Sequence, residues 1–70
     1  MSAIALTPLG RSTAENTSQS STPEFTVLST LYEADGPVDF DEIVDALHTT
    51  EEKASMIVRK LINKELCKEV

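Results

Sequence analysis

The sequence predicts a mainly α-helical domain, a three-helix bundle with short β pieces, preceded by a disordered N-terminal tail. Three observations carry that expectation. Helix start signals recur three times between residues 21 and 52, and each leads into apolar residues spaced three or four apart. Residues 11–22, by contrast, hold one Ala as their only apolar side chain, too little to offset the entropy of ordering. The expected division is therefore a flexible tail over residues 1–22 and a folded domain over residues 23–70.

Taken in order, the chain opens with Ile4-Ala5-Leu6, an apolar stretch interrupted by Thr7, Pro8 and Gly10 and preceded by no basic residue. It therefore reads as neither a signal peptide nor a membrane span. Residues 4–9 are suited to dock as a short strand, either on a partner or on the domain itself, and the sequence leaves both open. Ser21 and Glu24 have capping-box spacing, and Pro23 suits the first helical position after Thr22. The first helix then runs to about Ala34 with Phe25, Leu28, Leu31 and Tyr32 on one face, and Asp35-Gly36-Pro37 stops it. Val38-Asp39-Phe40 is a short extended piece.

Asp39 and Glu42, again three apart, lead into a short second helix with Ile43, Val44 and Leu47 on one stripe. After the turn His48-Thr49-Thr50, the pair Thr49 and Glu52 opens a long third helix through about Lys64. Its buried sector is Ala54, Ile57, Val58, Leu61 and Ile62. Residues 66–70 alternate in polarity, as a strand does.

Composition narrows the function. Seventy residues allow one compact domain. A single Cys and a single His allow no disulfide within the chain and too few ligands for a structural zinc site. No acid pair, no nucleophile beside a base and no glycine-rich phosphate loop stands out, so we expect a non-enzyme with no cofactor, no metal and no membrane segment. Ser2 in place of Gly removes a myristoylation signal, and the chain reads as cytoplasmic. His48 reads as a solvated turn residue and Cys67 as a packed one.

Leu47 opens the turn, Ala54, Val58 and Leu61 take apolar helix positions, and Leu66-Cys67 closes the pattern where a Leu-Val pair is common. With the order helix, extended piece, short helix, tight turn, long helix, strand, these residues resemble the winged helix-turn-helix of MarR-like and related bacterial and archaeal regulators, over about residues 24–70. The resemblance implies a transcription regulator that lays its third helix in the major groove of double-stranded DNA, commonly as a homodimer. Three departures follow. Glu65 stands where the family usually has a Gly to end the recognition helix, so that helix is expected to run longer here. The last strand would be the first strand of a wing with no second one, a truncated wing lacking its minor-groove contact. The positions turned to the groove would be Thr50, Glu51, Glu52, Ser55, Met56 and Arg59, of which one is basic.

Charge is unevenly placed. The net charge is -6, yet residues 23–52 hold nine acids and no base, while residues 53–70 hold five bases and two acids. Lys53, Lys60 and Lys64 share one helical stripe, with Lys68 beyond it. Two readings compete for this edge: contact with a phosphate backbone, or lysine stems that flank the apolar face and pair with the acidic second helix. The resemblance assigns DNA contact to Lys53, Ser55, Arg59, Lys60 and Lys64, with Arg59 suited to a guanine edge or a phosphate. Glu51 and Glu52 suit the helix dipole better than a base edge. Met56 projects onto the polar side, where it suits a protein partner. The sequence thus supports a small DNA-binding regulator first and, as the alternative, an acidic protein-interaction module of the same fold that does not bind DNA. A core this marginal favours a homodimer, for which the last strand offers an edge.

Overall fold

The computed structural model describes residues 3–16 and 22–70. In chain order they form β1 (Ala3–Leu6), α1 (Pro8–Asn16), α2 (Pro23–Ala34), β2 (Val38–Asp39), α3 (Phe40–Leu47), α4 (Glu51–Asn63) and β3 (Cys67–Glu69). The described chain is mainly helical, with one small antiparallel sheet of order β2-β1-β3. The three expected helices are α2, α3 and α4, and their ends follow from capping chemistry. Thr22 precedes α2 in an extended conformation, its hydroxyl accepts from the Phe25 amide at 3.2 Å, and Pro23 fills the first turn. Ser21, the other expected cap, lies outside the described residues. At α4 the cap is Thr50 rather than Thr49: Thr50 is the extended residue, and its hydroxyl accepts from the Lys53 amide at 3.3 Å. Asp39 precedes α3 but makes no side-chain capping bond.

The expectation of a flexible tail over residues 1–22 is corrected for residues 3–16, and the bundle has a fourth helix. β1 is the central strand of the sheet, pairing Ala3 with Asp39 and Ile4 with Val38 on one side. On its other side Ile4 pairs with Glu69, Ala5 with Lys68 and Leu6 with Cys67. Ile4 is fully buried. Residues 4–9 therefore dock on the domain itself. The expectation that the last strand has no partner within the chain is overturned as well, because β1 supplies that partner.

The physical reason lies in how α1 is held, since its own sequence is poor in apolar residues. The Thr7 hydroxyl accepts from the Gly10 amide at 3.0 Å, capping α1 ahead of Pro8, and donates to the Glu65 carbonyl. The Thr7 amide donates to the Leu66 carbonyl at 3.1 Å. Gly10 lies against that same residue: a Cβ at Gly10 would fall 1.8 Å from the Leu66 carbonyl oxygen. Ala14 packs on the core. Farther along, Arg11 pairs with Asp35 and sits 5.4 Å from the centre of the Tyr32 ring, while the Tyr32 hydroxyl donates to Glu15 at 3.1 Å. These contacts hold α1 to α2 and to the end of α4.

The core draws on both the sheet and the helices: Ile4, Val27, Leu28, Leu31, Val38, Ile43, Val58, Leu61 and Cys67 form one buried cluster, with Phe40, Leu47, Ile57, Ile62 and Leu66 partly buried against it. Of the face expected for the first helix, Leu28 and Leu31 are buried, Phe25 and Tyr32 only half-buried, and Val27 takes a fully buried place. The longer third helix expected from Glu65 is also corrected. α4 ends at Asn63, and Glu65 adopts φ 63°, the left-handed conformation that a Gly adopts without strain. Its amide donates to the Ile62 carbonyl at 2.9 Å and the Leu66 amide to the Leu61 carbonyl at 2.9 Å, so the chain turns sharply into β3.

Candidate functional site

α4 is fixed by its inner face and leaves the rest to solvent. Ala54, Val58 and Leu61 are buried, with Ile57 and Ile62 half-buried beside them. At roughly 100° per residue, the row farthest from that face is Glu52, Met56, Arg59 and Asn63. All four are exposed. Lys53, Lys60 and Lys64 run along one shoulder, also exposed, and Ser55 lies half-buried on the other. The sequence-predicted residues thus share one helix but not one orientation. Arg59 and Met56 look outward, the three lysines flank them, and Ser55 is partly withdrawn. Asn63 completes the outward row and was missed; its signal in the sequence is its position four residues after Arg59. Lys68 stands on β3 opposite Ala5.

Electrostatics separate these cations. Lys64 lies 3.4 Å from a Glu24 carboxylate oxygen on α2, an exposed pair that contributes little. No other cation of α4 or β3 has an ion pair among the described residues, and neither do Asp41, Glu42 and Asp45 of α3. The pairing of lysines with the acidic second helix is therefore not found. The start of α4 carries Glu51 and Glu52 and its last turn Lys60, signs that match the helix dipole.

The perturbed titrations lie elsewhere. The hydrogen bond and charge of Asp35 push the Arg11 guanidinium upward, and the bond to Glu15 raises the Tyr32 phenol. Burial pushes the Cys67 thiol up to about 11, which keeps it protonated and unreactive at neutral pH. Among the described residues there is no pocket and no group of three or more His, Cys, Asp and Glu side chains placed to hold a metal ion. No helix among them is long and apolar enough to cross a membrane. What the arrangement offers is a convex helical surface with a basic shoulder, suited to surface contact. No protein-family model, curated protein or solved structure matches the chain.

Proposed function

We propose that this chain is a small DNA-binding transcription regulator that acts by binding, with α4 as its recognition helix. The observation that carries the reading is the state of the α4 cations: Lys53, Arg59 and Lys60 are exposed and have no ion pair among the described residues, although the molecule is acidic. Cations of this kind are free to displace counterions from a phosphate backbone. Arg59 on the outward row suits a guanine edge, and Asn63 beside it suits an adenine. β3, which follows α4 directly, is paired with β1 from the start of the chain, so two paired strands lie where the resemblance expects a wing, although one of them comes from the other end of the sequence. Ser55, half-buried, makes at most an edge contact, and Lys64 contributes once it leaves Glu24.

A second reading is favoured by Met56, which is 59% exposed in the middle of the outward row. In that reading the domain binds a protein through Met56 and the acidic α2–α3 surface and has no use for DNA. Titration of short duplex DNA with two variants separates the two. Arg59→Ala weakens duplex binding by about tenfold, or about 1.4 kcal/mol, whereas Asp45→Asn on α3 leaves it unchanged or slightly tighter. Equal affinities for the parent chain and Arg59→Ala, or no binding by the parent, would rule the DNA reading out.

A further inference from the structure

We propose that residues 3–16, which form β1 and α1, are a latch that opens as one unit with the Glu65 turn and β3, while α2, α3 and α4 stay folded. The end of α4 is where its action is visible. Glu65 holds φ 63°, a left-handed conformation that disfavours a side chain of its kind. Nothing local asks for that turn. Lys64, Glu65 and Leu66 are good helix formers, and no Gly or Pro follows Asn63. The bonds that close the turn run from the Glu65 amide to the Ile62 carbonyl and from the Leu66 amide to the Leu61 carbonyl. A continued helix would use the same two amides and the same two carbonyls, Glu65 to Leu61 and Leu66 to Ile62, so the turn gains nothing from them.

What a continued helix would lose is the arm. The Thr7 hydroxyl donates to the Glu65 carbonyl, and the Thr7 amide donates to the Leu66 carbonyl at 3.1 Å. Leu6 pairs with Cys67, the Val70 amide donates to the Ala3 carbonyl at 3.0 Å, and Gly10 leaves room for the Leu66 carbonyl. The strained turn is thus held from residues 3–10, more than fifty positions away.

The arm in its turn depends on that end of the chain. Of α1, Ala14 packs on the core, whereas Leu9 is exposed. Its links to α2, Arg11 with Asp35 and Tyr32 with Glu15, lie at the surface and contribute little. Ile4 and Leu6 supply the apolar hold, and the ties to residues 65–70 supply the rest. Freeing either side removes the main support of the other, which is the condition for opening as one unit. The helices behind them keep Leu31, Ile43, Val58 and Leu61 packed among themselves. The device sits at the Asn63 and Lys64 end of the outward α4 surface, and it does not depend on whether that surface meets DNA.

Amide hydrogen exchange of the full chain, followed by nuclear magnetic resonance where exchange reports opening equilibria, tests it with two variants. Ile43→Val, on α3, weakens the helical core whether the latch is closed or open. The Leu31 and Val58 amides should therefore exchange about fivefold faster, with Thr7 and Val70 unchanged within about twofold. Glu65→Gly relieves the turn in the closed state alone, so the Thr7 and Val70 amides should exchange about fivefold more slowly. If Thr7 and Val70 speed up together with Leu31 and Val58 in Ile43→Val, the arm opens only when the whole molecule unfolds. If they are unchanged in Glu65→Gly, the turn outlasts the arm. Either result overturns the proposal.

Discussion

Asp35, His48 and Glu65 each end a helix in the left-handed region, which side chains other than glycine rarely enter. Asp tolerates that region and His is enriched in it, whereas Glu has no such excuse. Glu65→Gly is therefore expected to stabilise the fold by about 1 kcal/mol, read as a higher urea midpoint at unchanged slope. Gly10 presents the opposite balance. Ala there gains about 1 kcal/mol of helix propensity, but its Cβ would lie 1.8 Å from one backbone atom of Leu66 and 2.8 Å from another, so α1 must shift. The clash wins, and Gly10→Ala is expected to lose about 2 kcal/mol in the same measurement. Cys67 predicts a pH dependence. Burial pushes its folded thiol up from 9.0 to about 11. The folded state thus holds its proton more tightly, and that contribution is complete below about pH 9 and lost as pH rises to about 11. Denaturant curves of the parent and Cys67→Ala between pH 8 and 11 should converge by about 2 kcal/mol; parallel pH profiles would refute the assignment. At this scale the sequence was informative where chemistry is local. Cys67 read as packed, and it is. Glu65 misled, because the tie of its carbonyl to Thr7, more than fifty residues away, cannot be seen in a local pattern.

The helices after Thr22 were legible as elements, because each combines a start signal with apolar residues at helical spacing, and α2, α3 and α4 lie where those patterns place them. β1 is legible as a strand over residues 4–9 but not in where it docks, and α1 is not legible, although part of its signal is present. Thr7-Pro8 opens α1 with the same pair that Thr22-Pro23 uses for α2. That pair alone does not mark a helix, because α1 lacks an apolar stripe and depends on tertiary contact: the closeness of Gly10 to Leu66, the capping by Thr7 and the links from Arg11 and Glu15 to α2. Helices of this kind owe their stability to packing more than to propensity. The strand in front of it is the test. Ile4 is fully buried in the central strand, so Ile4→Ala is expected to cost about 3 kcal/mol. Leu9→Ala on exposed α1 surface should cost less than about 0.5 kcal/mol. Equal, small losses from both would contradict an N-terminal strand in the core.

Across the whole molecule, the core side of α4 and its solvent side carry separate duties. The aliphatic side joins a cluster to which β1, α2, β2, α3 and β3 all contribute, and that cluster sets the direction in which Arg59 and the lysines point. Charge segregation was legible from the sequence, since it is a matter of counting along the chain. The freedom of the cations was not, because only the folded arrangement tells whether Lys53 and Lys60 find a carboxylate, and of the cations of α4 and β3 only Lys64 does among the described residues. An acidic molecule that binds DNA must do so through this limited basic edge, and a limited edge has a limited salt dependence. The affinity for random-sequence duplex DNA should be measured from about 50 to 200 mM salt for the parent chain and for Lys60→Ala. With Lys53, Arg59, Lys60 and, once it leaves Glu24, Lys64 each meeting one phosphate, the slope of log affinity on log salt is expected near -3.6, and Lys60→Ala should flatten it by about one. A slope indistinguishable from zero, or no duplex binding at the lowest salt, would contradict the account.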